Sequence, residues 1–279
     1  MQNGREDRIR WAWDNGKADG SQFDGGRIRA HGLRHSGGPV EELATEGASA
    51  SSSPREATVN NVRTITMLPD SADSERAILG PDGVLEGAAP GSVIIDMSSI
   101  APSMSQKIGV ACADKGVEFL DAPVSGGEPG AIAGTLAIMV GGKQSVFDDC
   151  EPLLQVMGGN VVLTGDIGAG NITKLANQII VAANIEALSE ALVLTQKAGV
   201  DPERVFNAIR GGLAGSAVME AKAPDDAGPQ FQGGFPCAAA PEGPSKRAAN
   251  SGRTERTTAG HCAGTTDVGF ADQRRRPGI

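Results

Sequence analysis

From residue 63 onward, apolar positions come in short, β-branched runs that stop at proline, glycine or serine. RTITML (63–68) ends at Pro69 and predicts a buried strand. SVIIDMSS (92–99), VEFLDAPV (117–124), LAIMVGG (136–142) and NVVLTG (160–165) have the same texture. Helical patterns lie between them, in DSERAIL (73–79) and APSMSQKIGVACADKG (101–116). In the second, Ile108, Ala111 and Cys112 form a stripe that Gly116 closes. Strands alternating with helices predict an α/β fold, a mainly parallel sheet with helices on its faces.

After Gly170 the period changes. Ile172, Leu175, Ala176, Ile179, Ile180, Ala183, Ile185, Leu188 and Leu192 run without glycine or proline to Gly199. That spacing predicts a helix over 171–199, about eight turns long. DPERVFNAIRGG (201–212) adds a shorter one, with an Asp N-cap and a Pro in its first turn. A sheet thus hands over to helices, and a cleft between two such parts is a usual place for a ligand.

The two ends lack this patterning. Residues 1–38 hold two Ile, one Leu and no Val, and residues 225–279 hold one Val, one Ile, no Leu and no Met. Neither can bury enough apolar area to offset its ordering entropy, so both are expected to be disordered. The organisation predicted is therefore 1–38 as an unstructured end, 39–165 as a sheet domain, 166–224 as helices, and 225–279 as a second unstructured end.

The net charge of −9 argues against a nucleic-acid or acidic-membrane partner. With 3% aromatics and no Tyr, the core must be aliphatic. No apolar run approaches the ~20 residues of a membrane span, and the N-terminus lacks a signal-peptide stretch, so a cytoplasmic location is expected. Cys112, Cys150, Cys237 and Cys262 are far apart and imply no metal site. His31, His35 and His261 all lie outside the patterned middle, which argues against histidine chemistry there.

Two segments can carry chemistry. In DAPVSGGEPGAIAGTL (121–136) a strand ends in a Ser125-Gly126-Gly127 turn. Such a turn exposes successive N–H groups and a hydroxyl to a carboxylate or phosphate; it can equally be a tight loop whose glycines serve only positive φ. In GDIGAGNITKLANQ (165–178) a glycine-rich turn leads into the long helix, with Lys174 in its first turns and Asn177 on the same face. Half-buried near the positive end of the helix dipole, Lys174 would lose affinity for its proton and could donate and accept one. The plainer reading is a solvated surface lysine.

These segments resemble the β-hydroxyacid dehydrogenase family. DAPVSGG is similar to its substrate motif, and GDIGAGNITKLANQ to its catalytic Gly-x-x-Gly-x-Gly, Lys and amide. IDMSSIAP (95–102) and ITMLP (65–69) resemble its cofactor-contact stretches. SGGEPGAIAGTL and IRGGLAGS (209–216) look most like the tartronate semialdehyde (2-hydroxy-3-oxopropionate) reductase branch. The resemblance covers about 39–224. It implies a Rossmann-type NAD(P)-binding domain, a long interdomain helix, an all-α domain and a homo-oligomer. It implies hydride transfer between NAD or NADP and a small carboxylate substrate, a short semialdehyde or 3-hydroxy acid. Lys174 would be the proton donor and acceptor, with Asn177 (or neighbouring Gln178) orienting the substrate. Ser125, Gly126 and Gly127 would hold the carboxylate, and Leu68, Pro69 and Ser99 would touch the cofactor.

The ends depart from the family. There is no strand followed by GxGxxG, and no C-terminal Lys in an HxKD-like stretch. The genetic code suggests a reason. Read one base later, Trp11 and Trp13 each become Gly, and WAWDNGKAD admits GLGIMGKPM, a dinucleotide fingerprint. The same shift after Pro224 admits MMLDRNFK and QLHLKDL, which are also family-like. Residues 1–38 and 225–279 are therefore read as out of frame, the Rossmann-type domain as missing its N-terminal part, and the helical domain as truncated. Such a chain is expected to fold poorly and not to bind NAD(P)H. The other readings are a 3-hydroxyisobutyrate dehydrogenase or related enzyme, and a noncatalytic interaction remnant.

Overall fold

A computed structural model describes residues 11–13, 31–33 and 49–222 of the chain. The expectations for 225–279, and for most of 1–38, fall outside these residues. The described residues lie in one compact unit, Met1–Gly234.

Three strands in the middle of the sheet set its direction: β4 (Arg63–Met67), β5 (Val93–Asp96) and β6 (Glu118–Asp121). They pair in parallel, with Ile65 opposite Ile95 and Ile95 opposite Leu120. All four residues of β5 are buried, as continuous apolar runs in doubly covered parallel sheets usually are. Successive side chains alternate faces. Val93, Ile95 and Met97 join Leu120 and Ile138 in one cluster; Ile94 and Phe119 join another.

Helices cover each face. α2 (Ser71–Leu79) starts where Asp70 accepts the Asp73 N–H at 2.8 Å, and α4 (Pro102–Asp114) starts with a proline. Ile78, Ile108 and Cys112 cover Ile94. α1 (Pro54–Thr58) and the short α3 (Val84–Gly87) complete that edge. On the other face α6 (Gln144–Met157) sends in Val146, Phe147, Cys150, Leu153, Leu154 and Met157.

The sheet is not wholly parallel. β7 (Val124–Ser125) and β6 both run antiparallel to β8 (Ala137–Gly141), which then pairs in parallel with β9 (Asn160–Gly165). The turn at Gly126 and the helix α5 (Gly127–Ala133) reverse the chain between β7 and β8. A hairpin-like reversal needs only a short connection, whereas a parallel return needs a crossover.

Two strands stand where none was expected. β1 (Trp11–Trp13) and β2 (His31–Leu33) pair in parallel, β1 lies against β4 with Trp13 opposite Met67, and β3 (Ser49–Ala50) flanks β2. The order is β3-β2-β1-β4-β5-β6-β8-β7, whose first six strands follow the doubly wound dinucleotide-binding arrangement. The expectation that 1–38 would supply no strand is corrected for these six residues. Ladder pairing joins backbone to backbone, so the edge of β4 accepts a strand of almost any composition.

Beyond β9 stand α7 (Ala169–Lys197), α8 (Pro202–Ile209) and α9 (Ala217–Lys222). Asp201 caps α8 by accepting the Glu203 N–H at 3.0 Å. Leu188 and Leu192 of α7 pack on Phe206 and Met219 in a small separate cluster. The rest of the predicted apolar stripe is a correction: Ile172, Leu175, Ile179 and Ile180 are all more than half exposed. α7 is also long and apolar enough to cross a membrane by length and composition, contrary to the expectation that no run approaches a span. Ala, Asn and Gln interrupt its apolar residues in sequence without lowering the helix's average much.

Candidate active site

Parallel strands deliver their C-terminal ends to one edge, where a doubly wound sheet opens to ligands. Thr66, Asp96 and Asp121 sit level with one another near those ends, and all three are buried. Asp96 Oδ1 accepts the Thr66 hydroxyl at 3.0 Å, the Ser98 N–H at 3.1 Å and the Ser98 hydroxyl at 2.5 Å. Ser98 Oγ in turn accepts the Leu68 N–H at 2.8 Å, which fixes the loop after β4 against the loop after β5. Burial raises the Asp96 pKa above the ordinary carboxylate value, against the pull of the Ser98, Thr66 and Ser74 contacts. Leu68 is half-buried, while Pro69 and Ser99 are exposed at this edge.

The start of α7 reaches the same edge. Its glycines have separable reasons. Gly165 (φ 151°) and Gly168 (φ 98°) adopt left-handed conformations. Gly170 has room only for hydrogen, since a Cβ there would lie 2.4 Å from the Met139 carbonyl oxygen. One turn further, Lys174 is half-buried, and no group among the described residues accepts from its amine. Burial lowers its pKa from the ordinary 10.5. Of the two expected causes, burial acts and the helix terminus does not. Lys174 stands in the second turn, beyond the reach of the terminal dipole. Asn177 shares its face; its Oδ1 is buried without a hydrogen-bond partner. Gln178 is exposed.

Ser125 pairs with Ala137 at the end of β7 and is half-buried. Gly126 (φ 140°) and Gly127 (φ 61°) are exposed and require the left-handed region, so the two readings of this turn coincide in its backbone. The loops of Leu68 and Ser99 and the start of α7 are thus joined by hydrogen bonds, through Ser98 and through Ile100, whose N–H donates to Asn171 Oδ1 at 3.0 Å. No hydrogen bond links Lys174 or Asn177 to Ser125 among the described residues.

Sequence reasoning missed Asp96, Asp121 and Asn171. A signal was present: VIID (93–96) and EFLD (118–121) are apolar strands that each end on a carboxylate. An aspartate inside a doubly covered strand calls for buried donors.

Residues 28–165 match the family model for the NAD binding domain of 6-phosphogluconate dehydrogenase. Residues 168–240 match that for the NAD-binding of NADP-dependent 3-hydroxyisobutyrate dehydrogenase. Both reach past the expected limits of 39 and 224. The chain is 45% identical over 184 residues to 2-hydroxy-3-oxopropionate reductase of Escherichia coli, covering 66% of this chain and 63% of that protein. It is 37% identical over 196 residues to the uncharacterized oxidoreductase slr0229 of Synechocystis, covering 70% and 68%. A solved 3-hydroxyisobutyrate dehydrogenase of Mycobacterium tuberculosis, with L-serine, superposes at a TM-score of 0.68 with 29% identity, covering 76% of this chain and 74% of that one. The chain spans about three fifths of the length of several curated relatives it matches, 63% of the E. coli reductase among them. These motifs, this strand order and these matches agree, and the chain belongs to the β-hydroxyacid dehydrogenase family.

Proposed function

We propose that the described residues form the catalytic part of an NAD(P)-dependent reductase of a short semialdehyde acid, with 2-hydroxy-3-oxopropionate as substrate and glycerate as product. The observation that carries this is the pair on one face of α7: an unpartnered, half-buried Lys174 amine beside the buried, unpartnered Asn177 Oδ1. Unpaired buried polar groups are costly, and in a native site they commonly await a ligand. In this reading the cofactor supplies the hydride. The Lys174 ammonium gives its proton to the carbonyl oxygen, and the neutral amine takes it back in the reverse direction. Asn177 accepts from the substrate hydroxyl. Ser125, Gly126 and Gly127 offer donors to the carboxylate, and Leu68, Pro69 and Ser99 line the nicotinamide.

The residues present fit the nicotinamide end of a dinucleotide and not its pyrophosphate end. At the first, Asn177 Oδ1 stands ready for a donor. At the second, the sequence that follows β1 reads Asp-Asn-Gly-Lys, with an acidic residue and no GxGxxG. We infer that 1–38 and 225–279 are read out of frame, and that this chain binds NAD(P)H weakly or not at all. We further infer that 39–165 and 166–224 divide cofactor and substrate work. The bare apolar side of α7 suits a second copy, and the location proposed is cytoplasmic.

The coding DNA tests the frame, since stops across both segments in the neighbouring frame would sink it. Nicotinamide fluorescence on the purified chain and on its frame-corrected version tests the cofactor. On the corrected version, turnover of tartronate semialdehyde against 3-hydroxyisobutyrate separates the two enzyme readings, and Lys174→Met should cost about 10²–10⁴-fold in turnover. Full activity in Lys174→Met would overturn the assignment.

A further inference from the structure

α7 has no side-chain cap of its own, because Gly168 occupies its N-cap. The cap comes from β6. Asp121 Oδ1 accepts the Gly168 N–H at 2.7 Å and Oδ2 accepts the Asn171 N–H at 2.8 Å. Two of the orphan donors of the first turn are satisfied by one carboxylate. Asn171 then extends the attachment: besides the bond from Ile100, its Nδ2 donates to Ser105 Oγ at 3.0 Å. Asp121 and Asn171 are 0% and 1% exposed, so water does not compete for these bonds.

Two glycines make the room in which the carboxylate sits. A Cβ on Gly141 would lie 2.4 Å from Asp121 Oδ1, and one on Gly170 would lie 3.0 Å from Oδ2 and 2.6 Å from the Asp121 carbonyl oxygen. The helix is therefore seated directly on β6 and β8. Lys174 and Asn177 follow one and two turns after Asn171 on the same rigid element, so their height above the sheet edge is set where the first turn is held.

We propose that Asp121 is the positioning residue for Lys174: its carboxylate fixes the first turn of α7, and thereby keeps the amine half-buried at the site without touching substrate or cofactor. This rests on the reading of Lys174 as the proton donor, and it is tested without turnover. The full chain and its Asp121→Asn variant are labelled with an amine-acylating reagent across a pH range, and Lys174 modification is followed by mass spectrometry with Lys107 as an exposed reference. Amide exchange is followed in parallel at 168–172 and in β5.

In Asp121→Asn one acceptor becomes a donor facing an N–H. Exchange at 168–172 should quicken about tenfold while β5 stays protected. Lys174 labelling near neutral pH should fall about tenfold relative to Lys107, the equivalent of one pKa unit. Asp121→Glu, which keeps the charge, should recover part of the labelling and serves if Asp121→Asn does not fold. Unchanged Lys174 labelling beside faster exchange at 168–172 would make Asp121 a cap and nothing more. Loss of β5 protection in both variants would make it a support of the whole sheet; either result overturns the proposal. The proton-donor reading fails separately, by activity retained in Lys174→Met.

Discussion

The sheet and the long helix bury apolar residues to different ends. Around β5 every side chain is covered, by α2–α4 on one face and α6 on the other. On α7 two apolar sides exist and only one is covered: Leu188 and Leu192 are packed, while Ile179 is 70% exposed. The strand at the centre of the sheet is covered on both faces, and the helix is covered on one side only. Lys174 and Asn177, both half-buried, lie on the same side of the helix as Leu188 and Leu192, away from the bare side.

The comparison is broken most forcefully in the sheet. Ile95→Ala should cost about 2–5 kcal/mol in a denaturant titration, because a fully buried branched side chain leaves a cavity. A loss below about 1 kcal/mol would mean that the two faces are looser than described.

Lys174→Met should act in the opposite sense, raising stability by about 0.5–2 kcal/mol at neutral pH while lowering turnover of the frame-corrected version. The sign follows from the lowered pKa. Between its folded value and the ordinary 10.5, the unfolded chain binds more protons, so native stability rises with pH across that window. The gain from the substitution should therefore vanish above that window. A gain that persists there would point to packing and not to charge. For turnover, reduction uses the protonated amine and should decline with rising pH, and oxidation should rise.

Asp96→Asn keeps an acceptor for Thr66 and Ser98 and removes a buried charge. Burial raises the folded pKa above the ordinary 3.8, so the native carboxylate costs stability once the pH passes that value. The variant should match the parent near pH 3 and exceed it by about 1 kcal/mol at neutral pH, read from thermal unfolding at each pH. The smallest effect is reserved for the bare side: Ile179→Ser should change monomer stability by no more than about 0.5 kcal/mol. Where the bare side meets a second copy, as proposed, its effect should appear in sedimentation as loss of self-association at the same protein concentration.

Much of this was legible because it depends on local pattern. Strands β4, β5, β6, β8 and β9 and the long helix follow from β-branched runs and from a 3.6-residue period. The pairing of Lys174 with Asn177 follows from helix geometry alone. What stayed hidden depends on contacts distant in sequence. No spacing rule links Asp121 to Gly168, yet that contact decides where α7 begins. The antiparallel β8 was concealed because a strand's direction leaves no mark on its composition. Ile172 and Ile179 look like core residues in a helical repeat, and only the packing of the folded chain decides which of two apolar sides finds a partner. β1 was unreadable for a different reason, since its place rests on backbone pairing and its side chains offered no apolar pattern.

The insertion of β1 between β2 and β4 also bears on the order of assembly. Trp13 must find Met67, about 50 residues away, whereas the β4–β5 and β5–β6 pairings close loops of about 30 or fewer. Shorter closures come first, so β1 is expected to pair with β2, about 20 residues away, and β4 with β5 and β6, before β1 docks on β4. Until β1 docks, the free edge of β4 is open to strands from other molecules.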